Sequence, residues 1–346
     1  MRGHACVAPP TAAIIPGKDK MTDHSSQHTA VDAAGLPAAG SIRSAPTRRK
    51  PRWQQGDLAF VTLSLAPAAV LVSVLVFVPV AYTFGLSFFE QNTLRRNWTF
   101  AGLGNFTEIM ADPAFWRAFW NGLVYTLGTT LVAGLVGLIV ALLLDRPFKG
   151  RGLVRALVIF PYIVPTIIVV FVWKFMFSSR GIVNDLLRQI GVTGSGVPWL
   201  GDDNYAMLVV ILVSAWAWFP FVAITLLAAL QNMPDSVYEA ATLDGASAFS
   251  RFWNLTLPLL APAFLIIILI RAIWAFRNFE VIWLLTGGGP IGATEVLPIL
   301  AYREAFGSFR MGHASAIAVT LMLFVTLLAL LYFRVGARIR RAMHGT

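Results

Sequence analysis

Chemistry in this chain has to come from polar side chains set inside long apolar runs. Arg271 stands near the middle of one such run, with Trp274 and Asn278 three and seven residues on. A continuous helix puts all three on one face. A charge at the centre of a bilayer is costly, so an arginine there is read first as functional. Its guanidinium suits a hydroxylated ligand and an anionic one alike; pairing within a helix bundle is the competing explanation, and the residues leave both open. Trp216, Trp218 and Phe221 surround Pro220. Such rings can stack on the apolar face of a ligand or simply pack at a kink. Lys174, near the end of another run, can snorkel to the interface. Arg277 and Glu280, three apart, can pair on one helical face.

Several other chemistries have no residues to carry them. The single cysteine, Cys6, excludes an intrachain disulfide and a cysteine metal cluster. Four of the five histidines, His4, His24, His28 and His344, sit in the two tails, so no zinc site is readable. An intramembrane enzyme needs a nucleophile and base within reach of each other, and the apolar runs offer none. The phosphate-binding pattern Gly-x-x-x-x-Gly-Lys-Ser/Thr is missing; Gly287-Gly288-Gly289 lacks the following lysine and reads as a turn. Glu280 is the only carboxylate inside a run, which leaves no acidic pair for proton coupling.

The elements that must position these side chains follow from composition. Of 346 residues, 57% are hydrophobic and 13% charged, with a mean hydropathy of +0.69. A soluble globular chain carries about 25% charged residues, and a disordered one needs low hydrophobicity, so neither class fits. Six apolar segments, near 58–88, 119–144, 154–177, 206–230, 258–285 and 314–335, each exceed the roughly 20 residues that span a bilayer as a helix. Backbone groups in lipid must be bonded internally, so these are helices, and the fold class is an all-α polytopic membrane protein. Pro67, Pro79, Pro161, Pro165 and Pro220 are expected as kinks. Residues 1–55 read as a disordered basic cytoplasmic tail, 56–340 as the membrane domain and 341–346 as a cytoplasmic end. Residues 1–20 lack the apolar core of a signal peptide, and Met21 offers an alternative start.

The net charge of +10 is better explained by membrane topology than by nucleic acid. The tail (Arg43 to Arg52), the 2–3 loop (Arg146, Lys149, Arg151, Arg155), Arg251 and the C-terminus (Arg334, Arg338, Arg340, Arg341) carry 14 basic residues; the other loops carry 7. The positive-inside rule then puts both termini in the cytoplasm. Within the inside set, the 4–5 loop is unusual, with Asp235, Glu239 and Asp244 against Arg251. Pro234 suits a helix start, Asp235 or Ser236 suits its N-terminal turn, and Gly245 suits a left-handed stop. A second short helix is expected over 247–255, ending before Pro258.

In this loop Glu239-Ala240-Ala241, three residues, Gly245, nine residues and Leu255-Thr-Leu257-Pro258 resemble the signature of ABC importer permeases, with leucine for the usual isoleucine at 255. Phe279 to Pro290, Thr294 and Tyr302 to Phe306 are similar to the outer loop of the carbohydrate-uptake type, which includes the maltose, glycerol-3-phosphate and multiple-sugar permeases. The likeness covers roughly 55–340. It implies a type I importer permease, a bacterial inner-membrane subunit for a sugar, polyol or sugar phosphate. It implies that Glu239, Ala240, Ala241, Asp244, Gly245 and Pro258, within a coupling loop at 232–258, dock into an ATPase subunit. It also implies that Arg271, Trp274, Asn278, Trp216, Trp218 and Phe221 line the substrate path, although Arg271 replaces the small polar residue the family leads one to expect. No cofactor is expected in this chain; ATP and Mg belong to the partner ATPase. The implied partners are a second permease subunit, an ABC ATPase dimer, an extracytoplasmic solute-binding protein, the carbohydrate and lipid, but no nucleic acid. The alternative is a self-contained secondary transporter.

Overall fold

The computed structural model describes residues 55–92, 97–192 and 196–344. The chain divides into two units, Met1–Ser64 and Leu65–Thr346; the sequence reading puts its boundary at 55/56, and the tail ahead of residue 55 lies outside the described residues. Helix α1 is Gln55–Leu86. A hairpin of β1 (Phe89–Asn92) and β2 (Asn97–Phe100) follows, antiparallel with Phe89 opposite Phe100. It is a small addition to the all-α reading, and its rings pack edge to face at 5.5 Å. Then come α2 (Gly104–Ala111) and α3 (Pro113–Asp145), the latter capped by Asp112, whose side chain accepts from Ala114 N at 2.8 Å.

Among the described residues, five helices are long and apolar enough to cross a membrane: Phe60–Leu86, Pro113–Asp145, Ala206–Gln231, Ala248–Phe276 and Met311–Arg334. The expected third span differs. It is a pair, α4 (Arg151–Ile163) and α5 (Thr166–Met176), bent by 92°. The break sits at Val164 and Pro165, both in extended backbone, because a proline ring drives the residue before it out of the helical region. Helix α6 (Ile182–Gln189) and α7 (Ala206–Gln231) follow, then α8 (Asp235–Leu243), α9 (Ala248–Arg251) and α10 (Leu257–Phe276). The fifth span, expected to reach 285, stops at Phe276; α11 (Glu280–Thr286) is a separate short helix. The chain closes with α12 (Leu297–Tyr302) and α13 (Met311–His344).

Helices α3 and α7 form the centre. Lipid is as apolar as leucine, so helices associate there through close backbone packing and polar contacts rather than through hydrophobicity. Both devices are present. A side chain at Gly137 would meet Val222 at 2.7 Å, so only glycine allows this approach. Tyr125 donates to Ser214 Oγ at 2.9 Å, fully buried. Around this seam Leu144, Leu226, Leu230 and Leu260 complete one buried cluster.

Candidate functional site

The segment from 232 to 258 builds an exposed bracket. Helix α8 starts after Pro234, with Asp235 in its first turn and no side-chain cap. It buries no residue, and Glu239, Ala240, Asp244 and Gly245 are exposed. Gly245 has φ +75°, and two bonds close the turn: Ala246 N to Ala241 O at 3.0 Å and Gly245 N to Thr242 O at 3.1 Å. That is the Schellman arrangement, which satisfies the last carbonyls of the helix and favours glycine at its left-handed position. Ser247 then caps α9 by accepting from Ser250 N at 3.2 Å.

The expected second short helix, over 247–255, is instead the start of span five. Phe252–Thr256 form a π turn that runs directly into α10, so the helix is continuous from Ala248 to Phe276. Pro258 lies just beyond this turn. A proline inside a helix lacks an N–H and crowds the carbonyl four residues back, and a π turn relieves such crowding. The bracket is braced internally. Tyr238 donates to Thr256 Oγ1 at 3.2 Å and Arg251 Nη1 donates to Thr242 Oγ1 at 2.8 Å. The positions of Glu239, Ala240 and Ala241 are thereby tied rigidly to the root of span five. Thr256 carries no sequence signal for this role, since 18 residues separate it from Tyr238.

The second assembly lies among the apolar helices α4, α7 and α10. Arg271 is 2% exposed, and its guanidinium carbon lies 4.9 Å from the centre of the Trp218 ring, a cation–π arrangement. Its Nε has no hydrogen-bond partner, and no carboxylate among the described residues pairs with it. Trp274 packs on Trp218 at 5.8 Å and on Phe221 at 5.2 Å. Tyr162 joins both, at 5.7 Å from Trp218 and stacked at 6.4 Å on Phe221. Trp218 and Tyr162 also line a cavity of about 290 Å³ at the α4–α5 break, with Pro161, Val164 and Thr166.

The structure brings together four of the six expected pathway residues: Arg271, Trp274, Trp218 and Phe221. It separates two. Trp216 turns the other way and packs on Trp173 at 5.5 Å, because residues two apart on a helix point to different faces. Asn278 shares no face with Arg271, since α10 has ended; its Oδ1 accepts from Val281 N at 3.3 Å and serves the start of α11. The same break removes the Arg277–Glu280 pair, and no ion pair joins them. Lys174 reaches Leu284 O at 3.5 Å. Tyr162 had no sequence signal, because only the bend after α4 folds it onto α7.

The glycine run is a structural turn, as its sequence suggests. Thr286 and Thr294 share a 2.6 Å bond, Thr294 Oγ1 donates to Gly289 O at 2.7 Å, and Arg303 Nη2 donates to Gly287 O at 2.8 Å. Asn121 of α3 donates to Gly292 O at 2.9 Å and to Glu295 O at 3.0 Å. Burial raises the pKa of Glu295 despite Arg303 Nη1 at 2.7 Å. Glu304 goes the other way: His313 Nδ1, at 3.3 Å, and Arg310 hold its carboxyl below the usual range against the effect of burial.

The family model described as binding-protein-dependent transport system inner membrane component matches residues 133–341. The trehalose/maltose transport system permease protein of Thermococcus litoralis is 36% identical, over 84% of this chain and 97% of that one. The sulfoquinovosyl glycerol transport system permease protein of Agrobacterium fabrum is 34% identical, over 83% and 95%. Among solved structures, a bacterial ABC transporter involved in the import of the acidic polysaccharide alginate aligns with a TM-score of 0.71 at 24% identity, covering 81% of this chain and 96% of that one.

Proposed function

This chain belongs to the binding-protein-dependent transport system inner membrane component family, and we propose that it forms half of the translocation pathway of an ABC importer for a sugar, polyol or sugar phosphate. It is a permease subunit, and the relatives named for trehalose/maltose and sulfoquinovosyl glycerol support a carbohydrate or carbohydrate derivative as cargo. Hydrolysis of ATP, with Mg, falls to a separate ATPase pair. A second permease completes the path, and an extracytoplasmic binding protein delivers the substrate. Both termini face the cytoplasm, the side where the basic loops concentrate.

The observation that carries the site assignment is Arg271, buried on the face of Trp218 with no carboxylate partner among the described residues. Trp218, Phe221 and Trp274 offer ring faces for the apolar side of a sugar, and Arg271 offers donors for its oxygens. At the other end, Glu239 and its neighbours on α8 present an exposed surface to the ATPase. Movement of that surface is passed to α10 through Tyr238, Thr256 and the π turn. Nucleotide can switch the pathway only by favouring one of two states, and the bracket is the element through which that preference reaches span five.

The test is co-purification of the importer from mildly solubilised membranes. Wild type should bring down an ATPase and a second permease. The Glu239→Lys/Gly245→Pro variant should keep the second permease and lose the ATPase. Recovery of the chain without an ATPase from either source would return the secondary transporter to favour.

A further inference from the structure

Two cations at the start of α4 have no carboxylate partner among the described residues. Arg151 and Arg155 lie four residues apart, hence on one helical face, and both turn toward the last residue of α7. With its oxygen toward α4, the Gln231 amide accepts from Arg155 Nη2 at 2.8 Å and from Arg151 Nη2 at 2.9 Å, the orientation that two donors dictate. One neutral oxygen thus gathers two guanidinium groups. No carboxylate among the described residues lies within ion-pair distance of either, and the Nε of each is buried without an acceptor. Like charges at this spacing repel, so the pair is held at a cost that an anion would relieve. A cleft of about 190 Å³ is lined by Arg155 and Gln231 and by the apolar Val158, Ile159, Ile224 and Leu227; Arg151 reaches it only through the shared Gln231 oxygen. The opposite face of α4 exposes Leu153, Leu157 and Phe160, side chains suited to hydrocarbon, so α4 itself stands at a lipid-facing surface.

We propose that this cleft between α4 and α7 binds an anionic phospholipid, its phosphate on Arg151 and Arg155 and an acyl chain along the apolar walls. Guanidinium groups receive phosphate oxygens through paired charge-assisted hydrogen bonds. Basic pockets between membrane helices on the cytoplasmic side suit such headgroups. A carboxylate from a partner subunit would neutralise the charge but leave the apolar walls without a complement. Gln231 directly precedes Asn232, where the bracket begins, so an occupied cleft steadies the end of α7 from which α8 hangs. Placement in the cytoplasmic leaflet rests on the orientation proposed above.

The purified importer, reconstituted in phosphatidylcholine nanodiscs with or without phosphatidylglycerol, is read by native mass spectrometry for lipid retained on this chain. Wild type should retain phosphatidylglycerol in preference to phosphatidylcholine. Arg155→Gln should lower that retention about fivefold, the worth of one basic contact near the surface. Arg155→Lys, which keeps the charge and is easier to fold around, should fall between. Arg188→Gln, on the opposite side, should change nothing. Equal retention in wild type and Arg155→Gln overturns the proposal. So does displacement of the lipid by inorganic phosphate, which would mark a simple anion site. Loss of the ATPase or second permease from Arg155→Gln with lipid retention intact would give the cleft to a protein partner instead. Because lipid is read on this chain itself, failure of the importer reading would appear separately, as missing subunits.

Discussion

Arg271 and Trp218 act as a unit, and their substitutions separate charge from shape. Lysine keeps the charge but loses the flat fork that stacks on an indole, so Arg271→Lys should lower uptake about tenfold while the complex still assembles. Arg271→Ser should abolish uptake of a phosphate ester and spare part of the uptake of a neutral sugar; vesicle uptake with both substrate types reads the difference. In the stretch between α11 and α13, two carboxylates respond to acid in opposite senses. Glu304, held low by His313 and Arg310, contributes stability above its ordinary pKa and loses it as pH falls through the lowered value. Glu295, pushed up by burial, is relieved by protonation, so its cost fades as pH falls through its raised value. Melting of the solubilised complex across the acid range should therefore lose part of its acid-side fall in Glu304→Gln, and fall more steeply in Glu295→Gln. The types of these residues were plain in the sequence. Their partners were not, because Trp218 and Arg271 are 53 positions apart by their numbering, and only packing of α7 near α10 makes them neighbours.

Helices α3 and α7 set the spacing of everything else. Gly137 faces Val222 so closely that Gly137→Leu should overpack the seam and cost roughly 1–3 kcal/mol, seen as a lower melting temperature with the exposed bracket unaffected. The bracket itself was largely legible: Pro234 at the start, Gly245 at the turn and the position of α8 all follow from side-chain chemistry. Its continuation was misread because Pro258 suggests a stop, whereas a π turn at Phe252–Thr256 carries the helix through. The third span was misread in the opposite direction. Pro165 looked like a kink inside one helix, yet the chain turns by 92° there. Hydropathy cannot tell the two cases apart, since the break keeps apolar residues on both sides of it. The shared face of Asn278 with Arg271 and the Arg277–Glu280 pair are lost for the same reason, since the helix that would carry them ends at Phe276.

For the whole molecule the decisive quantity is topology. With Cys6 replaced by serine, a cysteine at Lys149 should react with an impermeant maleimide only from the cytoplasmic side, and one at Asp203 only from outside. Both positions are exposed, so reagent access reports the side of the membrane rather than burial. Reversed labelling would place α8 outside and separate it from any cytoplasmic ATPase. The family relationship and the fold agree across most of the chain's length, which makes the orientation a question about this subunit's function and not about its architecture.

Composition, run length and charge placement determined that this is a polytopic helical membrane protein with a short polar helical segment between its fourth and fifth spans. Those properties depend on local residue types and short spacings, which a linear chain carries openly. Tertiary structure alone decided where the third and fifth spans break, which four aromatic side chains (Trp218, Phe221, Trp274 and Tyr162) cluster with Arg271, and that Gln231 gathers two arginines beside an apolar cleft. Each of these depends on contacts between residues far apart in sequence, and in lipid, where hydrophobicity no longer marks the packed face of a helix, no periodicity announces them.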